Sequence, residues 1–69
     1  MRTQEMLAKM PKNNRDYLEN LKDSMRKMKD MGHSKVADEY KQVGKGYIKG
    51  MVDCGVIDDF KTAWCWFTL

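Results

Sequence analysis

The stretch that decides the fold is MKDMGHSKV, residues 28–36, because its single glycine separates two long amphipathic segments. In both segments, apolar residues recur at steps of three and four: Tyr17, Leu18, Leu21, Met25 and Met28 before the glycine, and Val36, Tyr40, Val43, Tyr47 and Met51 after it. This spacing places each set on one face of a helix. Because only Gly32 and His33 separate the two predicted helices, we expect an antiparallel αα-hairpin.

The helix ends carry residues that favour caps. Asn13 is expected to cap the first long helix, and Gly32 to end it in a left-handed conformation. Ser34 is expected to cap the second long helix, which closes at Cys54-Gly55. Asp58 or Asp59 is then expected to cap a short third helix.

Three glycines lie inside the second long helix: Gly44, Gly46 and Gly50. Each costs about 1 kcal/mol relative to alanine in a helix interior. Two explanations stay open. Either a neighbouring helix or aromatic ring packs closely there, or the glycines provide a kink or a close-approach site for a partner.

The short third helix carries an aromatic stripe: Phe60, Ala63, Trp64 and Phe67. We expect this stripe to pack across the hairpin as a lid. Trp66 lies outside the stripe, and either folds onto a long helix or points outward at an interface. The predicted fold is therefore all-α: an αα-hairpin of two long helices with a short aromatic C-terminal third helix. Residues 13–69 form the predicted single helical domain, after a flexible leader at residues 1–12.

The charge is mildly basic and unevenly distributed. The formal net charge is +3, and Lys41, Lys45 and Lys49 are spaced by four, so they share one side of the second long helix. Arg26, Lys27 and Lys29 add a second basic group on the first long helix. These cations predict either a solvated face or a surface for an acidic or polyanionic partner.

His33, Cys54 and Cys65 are the candidate metal ligands, and zinc is the one cofactor that the sequence leaves open. Their spacing matches no zinc finger or ribbon, so we expect buried or half-buried thiols, an exposed turn histidine and no cofactor. For nucleophilic catalysis, Cys54 would need His33 nearby, but a straight helix separates them by about 30 Å. The sequence carries no nucleotide-binding fingerprint. We therefore expect a protein that is not an enzyme.

No signal peptide or membrane-spanning stretch is recognised, and two cysteines in such a chain are typical of free thiols in a reducing compartment. We expect a cytoplasmic protein of a bacterial cell. Seven methionines favour an adaptable core; alternatively, they form an exposed groove with the tryptophans.

The segment GYIKGMVDCGVID, residues 46–58, and the aromatic tail that ends in Trp66-Phe67-Thr68-Leu69 resemble small helical proteins of Firmicute phages and conjugative elements. In those proteins a helix ends in an Asp-X-Gly-Val-Ile turn before a short terminal helix. The resemblance covers roughly residues 14–69, and its motif is a structural turn. It implies a mobile-element accessory protein, a class that includes anti-CRISPR inhibitors of type II effector nucleases, and it assigns no functional residue.

We expect a non-enzymatic interaction protein that binds a host protein and inhibits or modulates it. The specific target that the resemblance implies is a type II CRISPR effector nuclease. The candidate partner-binding residues are Lys41, Lys45, Lys49, Arg26 and Trp66. The alternative is a small basic nucleic-acid-binding regulator that uses Lys41, Lys45 and Lys49 with Arg26 and Lys27, and that binds duplex with a strong salt dependence. A third interpretation is a zinc-dependent homodimer.

Overall fold

The computed structural model describes residues 2–69, and the side chains of residues 3–69. In chain order its helices are α1 (Arg2–Lys9), α2 (Lys12–Asp30), α3 (Ser34–Asp53) and α4 (Phe60–Phe67). The described part of the chain contains no strand. The all-α prediction is confirmed, with α2 and α3 as the two long helices and α4 as the short aromatic one.

The turn between α2 and α3 closes as a Schellman motif. Gly32 has a φ of 82°, the left-handed conformation that glycine adopts without steric cost. The His33 N–H donates to the carbonyl of Met28 at 2.8 Å, and the Gly32 N–H donates to Lys29 at 3.1 Å. Because the turn reverses the chain within three residues, α2 and α3 pack against each other as the predicted hairpin.

Two of the predicted caps are wrong. Asn13 lies inside the first turn of α2, whose N-cap is Pro11, and Ser34 is the first residue of α3, whose N-cap is His33. Neither N-cap makes a side-chain hydrogen bond. Pro11 has its φ at −55°, close to the value its ring imposes, so the chain enters α2 without a polar cap.

The predicted cap of the aromatic helix is confirmed at Asp59. Its carboxylate accepts hydrogen bonds from the backbone N–H of Thr62 at 3.0 Å and from the Thr62 hydroxyl at 2.6 Å. At the preceding helix end, Gly55 has a φ of 79°, and the Val56 N–H donates to the Met51 carbonyl at 2.9 Å. This second Schellman motif ends α3 and turns the chain toward α4.

The core lies where α4 crosses the hairpin. Leu18, Ile48 and Phe67 are its largest fully buried side chains, contributed by α2, α3 and α4 respectively. The Phe67 ring lies directly on Gly44, where an added Cβ would meet the ring Cζ at 2.3 Å. Close packing therefore explains Gly44. It does not explain Gly46 and Gly50, where an added Cβ would meet nothing within 4 Å.

Part of the flexible leader predicted over residues 1–12 is helical in the structure. Residues 2–9 form α1, which packs against α4. Met6 and Met10 are both buried in the core, and Leu7 packs beside them. These apolar side chains share one face of a short helix, which is enough to dock it. Met1, the first residue of the predicted leader, lies outside the described residues.

Within residues 2–69, no helix combines the length and apolar character needed to cross a membrane.

Candidate functional site: a basic groove beside the aromatic helix

The two tryptophans of α4 diverge toward different long helices, and each meets cations. Trp64 lies toward α3, with the ammonium nitrogens of Lys41 and Lys45 each 5.8 Å from its ring centroid. Trp66 folds onto α2, where the ammonium of Lys22 lies 4.9 Å from its ring centroid and donates a hydrogen bond to its backbone carbonyl. Trp66 therefore takes the first of its two predicted placements, against a long helix.

A groove of about 260 Å³ opens between α2, α3 and the end of α4. Its cationic lining residues are Lys22, Arg26, Lys29 and Lys41. Met25 and Ala37 line it beside these cations, with Leu69 from the chain end, and Asp38 is its one acidic residue. The groove thus combines four cationic side chains and one carboxylate with an apolar lining.

Helix geometry explains why the groove is positively charged. Lys22, Arg26 and Lys29 are spaced by four and three residues, so their side chains project from one side of α2. The Arg26 guanidinium donates to the Leu69 carbonyl oxygen at 3.1 Å, which ties the chain end to the groove wall. Partial burial lowers the pKa of Lys22 below the ordinary lysine value of 10.5, and the nearby charge of Arg26 lowers it further.

The structure brings most of the predicted partner-binding residues to one side of the molecule. Arg26 and Lys41 line the groove, Lys45 lies over the Trp64 ring of α4, and Trp66 of the same helix lies beside Lys22 of the groove lining. Lys49, one turn beyond Lys45, is exposed and does not line the groove. The four-residue lysine spacing therefore does not mark one continuous site.

One groove cation, Lys22, escaped the sequence prediction. It lies four residues before Arg26, and this spacing was the available signal. It identifies a charged side of α2, but the position of that side relative to Lys41 depends on how α3 and α4 pack.

The candidate metal ligands do not assemble within one chain. His33 precedes α3 and Cys54 follows it, so a helix of 20 residues, about 30 Å, separates them. His33 is exposed as expected, but Cys54 and Cys65 are free and exposed rather than buried. Among the residues that the structure describes, no group of three or more His, Cys, Asp or Glu side chains is arranged to hold a metal ion.

The methionines divide between the core and the surface. Met6, Met10 and Met51 are buried, Met25 lines the basic groove, and Met31 is exposed beside the turn. The core interpretation therefore holds for the first three. Only Met25 lies where a ligand in the groove would touch it.

The groove has the chemistry of an anion-binding site with an apolar component. Lysine and arginine side chains form charge-assisted hydrogen bonds to carboxylates or phosphates, and a guanidinium can do so with both nitrogens. Met25 and Ala37 offer contact area to an aliphatic group next to that anion. Comparison of the chain with protein-family models, curated proteins and solved structures found no match.

Proposed function

We propose that this chain is a non-enzymatic binding protein whose basic groove takes an acidic segment of a protein partner. The observation that supports the proposal is the placement of four cations around an apolar lining between α2, α3 and α4. A glutamate or aspartate of the partner pairs with Arg26 and Lys41, and a neighbouring aliphatic side chain covers Met25. Such mixed polar and apolar pockets are typical of peptide recognition.

Two features favour a carboxylate-bearing partner over a nucleic acid. Lys41 and Lys45 lie over the Trp64 ring, which leaves that face less available for base stacking. Lys49 extends the lysine row away from the groove instead of along it.

The more specific form of the proposal is a mobile-element accessory protein that blocks a host protein such as a type II CRISPR effector nuclease. It rests on the resemblance of residues 46–58 and on the small size of the chain. An inhibitor with a basic groove would dock on an acidic surface of the nuclease and not mimic the nucleic acid in its channel.

The groove is tested first with an acidic peptide that contains leucine, using tryptophan fluorescence as the readout. We expect Arg26→Glu and Lys41→Glu each to weaken peptide binding by about tenfold or more, which corresponds to ~1.4 kcal/mol. Lys61→Glu is the matched control, because it makes the same charge change at an exposed position of α4 outside the groove. Equal weakening by all three variants would show that only net charge matters and would contradict the groove.

A duplex DNA titration separates the protein partner from the nucleic-acid alternative. A groove that binds acidic peptides should bind duplex only weakly, and Lys49→Glu should leave peptide affinity unchanged. If wild-type protein binds duplex tightly, with an affinity that falls steeply with salt and is reduced equally by Lys49→Glu and Lys41→Glu, the regulator function is favoured instead.

The specific inhibitor function is tested by adding the purified chain to a target-cleavage reaction of a type II effector nuclease. We expect wild type to slow cleavage, and Arg26→Glu to lose most of that effect while Lys61→Glu retains it. Unchanged cleavage at protein concentrations that saturate peptide binding would reject the nuclease as the target. Whether the groove binds acidic segments is decided separately by the peptide experiment.

A further inference from the structure

Within residues 2–69, one side of the α2–α3 hairpin is not covered by another helix. α4 lies across the opposite side, over Gly44 and against Lys22 and Lys41, and α1 packs on α4. The uncovered side exposes apolar side chains, with exposed fractions of 44% for Tyr17 and 50% for Val43. We call this side the open face.

The apolar residues of the open face continue along the length of α3. Val36, Tyr40, Val43 and Tyr47 follow one another at steps of four, three and four residues, the spacing of a helix seam that packs against other helices. Val36 and Val43 are exposed, while Tyr40 and Tyr47 are half-buried and the Tyr47 ring packs on Tyr17 of α2. The two exposed valines of this seam are therefore available to a second molecule.

The open face also contains recesses next to its protruding side chains. Gly46 and Gly50 lie on the outer edge of α3, and no atom of the described residues lies within 4 Å of a Cβ added at either position. Tyr17 lies at the same height on α2, because its ring contacts that of Tyr47 with a centroid distance of 4.6 Å. The face therefore places a large side chain on one helix and two small residues at the same height on the other.

Opposite charges flank the open face. At 100° per residue, Lys27 lies on the outer edge of α2 and Glu39 on the outer edge of α3, and both are exposed. The Tyr17–Tyr47 contact sets the relative height of the two helices, and it places Lys27 and Glu39 within about one turn of each other along the hairpin axis. They lie on opposite sides of the face.

We propose that the open face binds a second copy of this chain, hairpin against hairpin, about a two-fold axis parallel to the helices. This axis lays α2 of each copy over α3 of the other. It seats Tyr17 against Gly46 and Gly50 of the second copy, and brings Lys27 toward Glu39. Every contact occurs twice, as an isologous interface requires.

The size of the face fits such a dimer. The molecule measures 34 × 22 × 20 Å, so a face along its long axis spans at most about 700 Å² in outline. Stable interfaces bury about 800 Å² per partner. The basic groove lies on the other side of the hairpin, so the dimer leaves it open.

Sedimentation equilibrium tests the dimer. We expect a mass near twice 8.1 kDa at high protein concentration and dissociation on dilution. Val43→Glu should shift the chain to a monomer without changing its circular dichroism, because Val43 is exposed in the monomer. Lys61→Glu, on α4, is the control and should remain dimeric. If the chain stays monomeric up to about 0.5 mM, its self-association is weaker than that of specific dimers, and the proposal is overturned. A dimer that Val43→Glu does not dissociate would overturn it as well.

Charge exchange tests the two-fold arrangement. Lys27→Glu alone and Glu39→Lys alone should each raise the dimer dissociation constant about two- to fivefold, since each places like charges opposite one another. The double variant should recover the wild-type constant. A double variant that dissociates as readily as the single variants would overturn this arrangement of the two hairpins.

Discussion

Gly44 and Phe67 show at the scale of single residues how the aromatic helix is seated. The ring of Phe67 occupies the space that a side chain at position 44 would need. Because the ring is fully buried, it has little room to move away. The close approach of α4 to α3 therefore depends on the absence of one Cβ.

We expect Gly44→Ala to lower the free energy of unfolding by about 1–3 kcal/mol, the usual cost of overpacking a core. The control is Gly46→Ala, which lies in open space and should raise it by up to about 1 kcal/mol through helix propensity alone. Both are measured by urea unfolding at dilutions where the chain is monomeric. A stabilised Gly44→Ala variant would mean that α4 does not contact α3 here.

Lys22 is a second residue whose behaviour follows from its surroundings. Burial, and then the charge of Arg26, lower its pKa in the folded state, so between that pKa and 10.5 the unfolded chain binds more protons than the folded one. The contribution of Lys22 to the free energy of unfolding should therefore rise with pH across that alkaline window and be constant below it. Lys22→Met should remove this increment from the wild-type pH profile of urea unfolding, whereas Lys61→Met should leave the alkaline slope unchanged.

At the scale of helices, the N-terminus of α4 depends on a side-chain cap. Asp59→Ala removes the acceptor for the Thr62 N–H and should cost about 0.5–2 kcal/mol of unfolding free energy. Asp58→Ala is the matched control. Its carboxylate is exposed and lies 3.9 Å from the Lys9 ammonium, a surface pair that contributes about 0–1 kcal/mol. Both variants are measured by thermal and urea unfolding. An equal loss of unfolding free energy in Asp59→Ala and Asp58→Ala would contradict the capping role of Asp59.

The short helix α1 is held by its apolar side chains. Removing residues 1–10 would expose the surfaces of α4 and of Ile57 that Met6 and Met10 help to cover. Since each buried methionine contributes about 1.5–3 kcal/mol, we expect a clear decrease in the urea midpoint. Glu5→Ala, at an exposed position of the same helix, serves as the control. A truncated chain with the wild-type midpoint would support the flexible leader predicted from the sequence.

At the scale of the whole molecule, the chain has two distinct surfaces: a basic groove beside α4 and an open face across the hairpin. If the open face pairs two copies, folding is coupled to association, and the thermal midpoint should increase with protein concentration. The Val43→Glu variant should have a midpoint that does not depend on concentration. A wild-type midpoint that stays constant over a hundredfold range of concentration would show that the monomer is stable without a partner.

Most residues of the candidate site could be predicted from the sequence, but their arrangement around one groove could not. Arg26, Lys41, Lys45 and Trp66 were expected at a partner surface, and they lie in or beside one groove. Lys22 was not predicted, Lys29 was named only as part of the basic group on the first long helix, and Lys49 was included although it does not line the groove. A regular spacing shows which charges share one side of a helix, but it does not show which sides of two helices meet.

The sequence by itself determined the two long helices, the short aromatic helix and the turns between them, because these depend on local spacing and on backbone freedom. The three- and four-residue apolar steps, the positive φ of Gly32 and the cap at Asp59 all act within a few residues. Only the tertiary structure decided which glycine is packed against a ring, that α1 docks on α4, and that Lys22 meets Trp66. These contacts join residues far apart in the chain, and their geometry depends on how all four helices share one core.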